Sequence, residues 1–550
     1  MKNQWRILIL FLSALVSAAA LAATQGIALQ GNPWRQADVY WPNFLAILLP
    51  MILGFGLIEL SLRLFLPGEG GGFARMCTWL ALALRLAFLI TAPVAMMLWG
   101  YESNRNYKGL VQKDAINAVD TAWNQSQLQA PLFEAFQPGP GDNTGGITTL
   151  GSALFRLLTP DMERTLILGL VASFFTSLTV LAVFRLGNGL FSPGVAKTAA
   201  FIAAVYPEGV LIGSSHQQMG YITLIFSMAL LAVAGVLRNP PGETEGPGLP
   251  KRRDAVILLA IMAVLGLLIS RPFTVLGLIC IAGFVLWSIH LKPQVARILW
   301  IGLGVAAVVL VSIRMLGILD IVSSDSDPLF LIYRYLYGMA YAEYDKMIAA
   351  GGGDLFQNVL AAMSKGPAFI LSAVYGLVRP ALPAAIGYRN TSAEGGFFWQ
   401  LLNLFRSLGW YAVLPVLLYG TLKSLRGFLS RKPETIFMMI FWAVALIGSY
   451  RAFGDEWDNP RYRLFALAPM AILAGWAWII QREERDPWFA RIVIPFAAAT
   501  VSLTAWYILR DYALLDFPAV PSILVMGAIT LVAFVLSLFL VRPKKGAAAG

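Results

Sequence analysis

Apolar runs about twenty residues long recur from one end of the chain to the other, and this limits the fold more than any other feature. A helix needs about 20 residues to cross the hydrocarbon of a bilayer. Within lipid its backbone groups must find their partners internally. The runs fall near 43–65, 76–99, 165–185, 195–213, 220–237, 254–270, 273–290, 298–320, 403–424, 434–451, 463–481, 491–509 and 520–541. Only 13% of the residues are charged and 58% are hydrophobic, against about 25% charged in a soluble domain. Mean hydropathy is +0.70. The expected fold class is an all-α polytopic membrane protein with roughly 12–14 spanning helices.

The formal net charge of +11 does not imply nucleic acid, because in a membrane protein Lys and Arg mark the cytoplasmic side and meet anionic lipid headgroups. Cys77 and Cys280, the only cysteines, both fall in predicted spans, which argues against a disulfide framework and a zinc site. Two histidines, His216 and His290, are too few for a histidine-based metal centre. Residues 1–24, with a basic start, a leucine run and a small-residue end, read as a leader or as a first span. The membrane segments behind them favour retention as a span.

Basic residues in alternate short loops orient the chain. Lys2 and Arg6, Arg63 and Arg75, Arg185 and Lys197, Lys251 to Arg253, Lys292 and Arg297, Lys423 to Lys432, Arg482 to Arg491 and Arg542 to Lys545 share one side. That side is expected to be cytoplasmic and to hold both termini. Two long loops, 101–160 and 321–402, then face outward. Pro67–Gly72 and Pro240–Arg253 read as cytoplasmic linkers. Apolar stretches within 321–402 suggest helices lying on the outer surface. The expected organisation is two added N-terminal helices (1–65), a core (66–481) and C-terminal helices with a basic tail (482–550). Neither repeated halves nor broken helices are legible.

A loop as long as 101–160, so early in the chain, exceeds what a connector needs. Within it, apolar residues at 110, 111, 115, 116, 119, 122 and 123 recur at helical spacing over Gly109–Leu128. Asp114 and Asp120 lie six residues apart, about 240° round a helix, so they do not form a dyad on one face. Arg85 sits in the middle of a span, where an arginine costs about 2.5–3.5 kcal/mol. A carboxylate partner, Glu102 or Asp120, is expected for it. Arg271, Arg461 and Arg463 stand at outer span ends, where a guanidinium reaches the headgroup layer. The turn Gly454–Asn459 offers acidic oxygens for an acceptor or a divalent cation, or is simply solvated, and metal dependence stays open.

In this region the chain resembles the GT-C superfamily of membrane glycosyltransferases, in particular bacterial relatives of protein O-mannosyltransferases and the lipid A aminoarabinose transferase. Asp114, Ala115, Val119, Asp120 and Ala122 match a pattern in the family's first outer loop, whose leading Asp is catalytic. The pair Arg271-Pro272, the stretch Pro380–Tyr388 and the phrase Asn459–Leu464 follow in the family's order, so the resemblance covers about residues 76–481. It implies a GT-C-like bundle whose outer loops carry short amphipathic helices. It also implies a polyprenyl-phosphate sugar as donor and an acceptor that is protein, lipid or glycan. Asp114 would be the general base, with Asp120 or Glu102 as supporting acid. Arg271, Arg461 and Arg463 would bind the donor phosphate.

One departure stands out. Where the family often carries an acid, Ser214-Ser215-His216-Gln217-Gln218-Met219-Gly220 has Gly220, which leaves Glu208 and His216 as nearby substitutes. The expected activity is an inverting, lipid-phosphate-dependent glycosyltransferase facing outward from a bacterial inner membrane, in contact with membrane lipids. The alternatives are a transporter or flippase of a lipid-linked saccharide, and a polysaccharide polymerase or ligase.

Overall fold

The computed structural model describes residues 2–30, 37–66, 71–99, 108–128, 130–136, 144–238, 249–288, 365–387, 396–426, 432–452, 458–511 and 519–541. Among them every secondary-structure element is helical. Among the described residues eight helices are long and apolar enough to cross a membrane: Ile7–Gly26, Tyr40–Phe65, Gly72–Trp99, Thr165–Leu190, Gln218–Leu237, Phe397–Arg426, Pro433–Ala452 and Pro487–Arg510. A ninth is counted if Pro193–Val205 and Pro207–Gly213, bent by 55°, form one span. The protein is an all-α, multi-pass membrane protein.

The difference from 12–14 spans has physical sources. The run near 298–320 lies outside the described residues. Arg252–Ile269 opens on Arg252, Arg253 and Asp254, and Leu467–Glu484 closes on Arg482, Glu483 and Glu484, so charge shortens both apolar stretches. Arg271–Val285 and Leu524–Leu540 are apolar but shorter.

The described helices are α1 (Lys2–Gln30), α2 (Ala37–Phe65), α3 (Gly72–Trp99), α4 (Lys113–Gln127), α5 (Gly146–Leu158), α6 (Thr165–Ser177), α7 (Thr179–Leu190), α8 (Pro193–Val205), α9 (Pro207–Gly213) and α10 (Gln218–Arg238). They continue with α11 (Arg252–Ile269), α12 (Arg271–Ser288), α13 (Lys365–Val378), α14 (Leu382–Gly387), α15 (Phe397–Arg426), α16 (Pro433–Ala452), α17 (Asp458–Leu464), α18 (Leu467–Glu484), α19 (Pro487–Asp511) and α20 (Ala519–Leu540).

The chain divides into two compact units. The first comprises Met1–Ile281, Asn390–Gly409 and Leu467–Glu483. Here α3 buries a stripe at helical spacing, Ala74, Cys77, Ala81, Arg85, Leu89, Ala92 and Met96, against α1, α6 and α8. Small residues let α7 and α8 approach closely: a Cβ on Gly187 would stand 2.8 Å from Ala196 Cα. Lipid supplies no hydrophobic drive between helices, so such close packing supplies much of the association. At Pro207 the missing N–H and the restricted preceding residue, Tyr206, end α8 and start α9 at an angle. The N-terminal helices also bond to this unit. Gln25 of α1 accepts from the Leu166 N–H at 2.8 Å, and Asn43 of α2 accepts from Arg164 Nε at 2.8 Å.

The second unit comprises Ala282–Arg389, Trp410–Ala466 and Glu484–Gly550. In it α13 and α17 pack on α16, α14 packs on α19, and α19 packs along α20. Lys423 pairs with Glu484 at 2.5 Å and Asp486 at 2.8 Å. Trp488 stands between the guanidinium groups of Arg426 and Arg491, at 5.7 and 5.3 Å from its ring.

Candidate functional site

Among the described residues, the polar segment between α3 and α6 forms two short α-helices, α4 and α5, in the first unit. A helix expected over 109–128 is observed as α4, Lys113–Gln127, entered through a turn at Lys108 (φ 47°) and Gly109 (φ 79°). Gly109 takes the left-handed conformation at no cost, whereas a lysine rarely does. Val119 and Ala122 of α4 join Phe155 of α5 and Leu168 of α6 in one apolar cluster, and Trp123 meets the Phe155 ring edge-on at 5.3 Å. Ser152 donates to the Ala122 carbonyl at 2.9 Å. Arg156 then caps the end of α4, donating to the carbonyls of Ser126, Gln125 and Leu128 at 3.2, 3.0 and 2.7 Å. At its own start α5 lies flush on α11, where a Cβ on Gly146 would fall 2.1 Å from the Leu268 oxygen.

Asp114 occupies the first turn of α4 and is half-buried. It precedes Ala118 by one turn and so shares its side of the helix. Ala118 packs in a cluster with Ile147, Ala172 and Tyr221, against which Ile269 also packs. Arg271 follows Ile269 by two residues and opens α12, exposed. Between them Ser270 is buried. At the head of α4, Gln112 accepts a short hydrogen bond from Gln217, just before α10. Through Ala118, α4 thus shares a cluster with Ile269, two residues before Arg271.

Asp120 turns elsewhere. Lys108 Nζ bonds its Oδ1 at 2.8 Å and both oxygens of Glu163, at 2.8 and 2.7 Å. Burial pulls the Lys108 ammonium down, but the hydrogen bonds and charges of its two carboxylate partners outweigh that and hold its pKa above the ordinary lysine value. Burial pushes the Glu163 carboxyl above the usual carboxylate range, and the Lys108 contacts only partly counter this. Beside them Asp161 takes a two-pronged hydrogen bond from Arg164, at 2.7 and 2.9 Å, which holds its pKa low.

Among the described residues Arg85 meets no carboxylate. Its Nε donates to Thr176 Oγ1 at 3.0 Å and its Nη1 to the Ala81 carbonyl at 2.9 Å, while Asp120 is engaged by Lys108. Glu102 lies outside the described residues. His216 is fully buried, with Nε2 3.1 Å from the Ile147 carbonyl and Nδ1 3.1 Å from the Tyr221 hydroxyl. A carbonyl only accepts, so the proton of the neutral ring sits on Nε2 and the hydroxyl donates to Nδ1. Glu208, also buried, receives Arg406 on both oxygens, at 2.8 and 3.1 Å.

In the second unit Arg463 is fully buried and donates to the carbonyls of Leu377 (2.8 Å), Gly376 (3.3 Å) and Arg379, at the end of α13. Its guanidinium lies 3.9 Å from the centre of the Trp410 ring. Arg461 and Arg451 both face the Tyr462 ring, at 5.3 and 5.1 Å. The acidic turn 454–459 falls largely outside the described residues. Among the described residues no three His, Cys, Asp or Glu side chains gather to hold a metal ion.

Sequence reasoning missed Lys108, Glu163, Gln112, Gln217 and Arg406. Arg406 could have been found: it interrupts an apolar run, and a buried arginine there calls for an acid such as Glu208. Lys108 and Glu163 read as ordinary solvated charges because the residues between them hide their meeting.

No protein-family model matches the chain, and no curated protein matches it. Among solved structures, the archaeal oligosaccharyltransferase AglB from Archaeoglobus fulgidus, in complex with an inhibitory peptide and a dolichol-phosphate, aligns over 85% of this chain at 13% identity and a TM-score of 0.38. The alignment covers 55% of that protein, so the chain spans about half its length. An overlap of that extent assigns neither a fold family nor a chemistry, and the functional reading rests on the residues described above.

Proposed function

We propose that this protein is a membrane glycosyltransferase that moves a sugar from a polyprenyl-phosphate donor to an acceptor hydroxyl or amine at the extracytoplasmic face, with Asp114 as general base. One observation supports the reading most. Asp114, which leads the resembling sequence pattern, stands half-buried in the first turn of a helix packed against α5 and α6. The acceptor oxygen or nitrogen attacks the anomeric carbon while Asp114 takes its proton. The bond from that carbon to the phosphate oxygen breaks, and the electron pair leaves with the phosphate. In this reading Arg271 meets the departing charge, as a guanidinium can with two parallel hydrogen bonds. A single displacement inverts the anomeric centre. A positioned base is worth about 10²- to 10⁴-fold in rate.

The test is sugar transfer by purified protein from a panel of synthetic polyprenyl-phosphate sugars. Asp114→Asn is expected to lower turnover by about 10²-fold or more with its melting temperature unchanged. Unaltered turnover removes the base assignment, and no transfer by the wild type from any donor removes the activity.

One observation favours transport of a lipid-linked saccharide instead: the broken helix α8–α9, since transporters place interrupted helices at their binding sites. Against it, the acid next to this break, Glu208, is bound to Arg406. Flux into proteoliposomes without transfer would favour this second reading.

A further inference from the structure

The head of α4 is tied down by one side chain. Lys108 reaches forward to Asp120, on the second turn of α4 and beyond, and across to Glu163, immediately before α6. Its own carbonyl accepts from Thr165 Oγ1 at 2.9 Å, so backbone and side chain both anchor it at the mouth of α6. The α6 mouth is itself held, by Gln25 at the Leu166 N–H and by Asn43 at Arg164. Lys108 and Asp120 bracket Asp114, six residues from each in sequence. Lys108 makes these contacts from a left-handed backbone, rare for lysine.

We propose that Lys108 is a positioning residue: by bridging Asp120 and Glu163 it fixes α4 against the mouth of α6 and so sets where the Asp114 carboxylate stands. The proposal rests, for its catalytic half, on the glycosyltransferase reading. It gives Asp120 the role of anchor rather than supporting acid. In this role Lys108, whose ammonium is taken up by Asp120 and Glu163, acts through α4. Misplacement of a reacting group by about 1 Å costs up to about 10²-fold in rate, so losing the bridge lowers kcat while donor KM, set elsewhere, holds.

The experiment places spin labels on cysteines at positions 124 and 162, with Cys77 and Cys280 replaced by alanine, in nanodiscs of the full chain. The wild type is expected to give one narrow distance, Lys108→Met a broad distribution, and Lys108→Arg a return toward the narrow one. The raised pKa of Lys108 keeps its ammonium charged past the free-lysine value of about 10.4, and Glu163, raised by burial, sets the acid limit of the bridge. The wild-type distance should therefore stay narrow from pH 7 to about 10.4 and broaden only as pH climbs through the higher folded value of Lys108 or falls through that of Glu163. In the transfer assay, Lys108→Met should lose about 10- to 100-fold in kcat at unchanged donor KM. A narrow distance in Lys108→Met overturns the anchor, and a broad one with wild-type kcat overturns the positioning role. If the wild type transfers no sugar, the glycosyltransferase reading fails while the distances still decide the anchor. Should Lys108→Met not fold, Glu163→Gln, which weakens the two-pronged half of the bridge, gives the same readings.

Discussion

Glu208 and Arg406 face each other with both ends buried and two hydrogen bonds between them. Removing one partner leaves an unpaired charge in a dry interior, which costs about 3–5 kcal/mol, whereas replacing both with apolar groups of similar volume is close to neutral. Glu208→Leu or Arg406→Met alone is therefore expected to lower the melting temperature in detergent sharply, and the double variant to recover most of the loss. Equal loss in the double variant would show that the pair carries more than charge balance. The residue scale is also where the sequence spoke least clearly. It named Asp114 and Arg271 but not what surrounds them, because hydrogen bonds such as Gln112 to Gln217 join positions over a hundred residues apart. It offered Glu208 and His216 as nearby substitutes for the missing acid, while their partners, Arg406 on α15 and Ile147 and Tyr221 on α5 and α10, lie on other helices, and no spacing announces that.

Helices were more legible than their joints. Periodic apolar residues marked α4 within a few positions of its ends, since burying one stripe is what makes a short helix persist. The break at Pro207 was hidden inside a single apolar run, where hydropathy is blind to a missing N–H. Glycine carries the remaining joints. Gly145 takes φ 90°, and Gly146 brings the backbone of α5 against the Leu268 carbonyl, leaving no room for a side chain 2.1 Å away. Backbone cannot yield as a flexible side chain can, so Gly146→Val is expected to lift the start of α5 off α11. Limited proteolysis of the protein in nanodiscs should then cut between residues 128 and 160 at least tenfold faster than in wild type, a factor that corresponds to about 1.4 kcal/mol of lost docking. Gly151→Ala, whose Cβ would stand 2.7 Å from Ala122 Cβ, is expected to act more mildly because the overlap is smaller and a slight separation of α4 and α5 relieves it. Equal cleavage in wild type and Gly146→Val would mean that α5 is held by Arg156 and Ser152 alone.

At the scale of the whole molecule, the sequence made a multi-pass helical membrane protein plain, because no soluble fold accommodates so many apolar runs and so few charges. The number of spans was less secure, since charged residues at the ends of α11 and α18 shorten helices that hydropathy alone would extend. The orientation expected from the loop charges makes a single decisive prediction. If Lys and Arg are retained on the cytoplasmic side, Lys423 and Arg426 at the end of α15 lie inside and the polar segment carrying α4 lies outside. A cysteine at Asn124, exposed on α4, should react with a membrane-impermeant maleimide on intact cells. A cysteine at Leu425, exposed in the last turn of α15, should react only after the membrane is opened. The native Cys77 and Cys280 are buried and give a low background. Labelling of position 124 only in opened cells would turn the protein over, place Asp114 on the cytoplasmic side and remove the lipid-linked donor chemistry from the outer face.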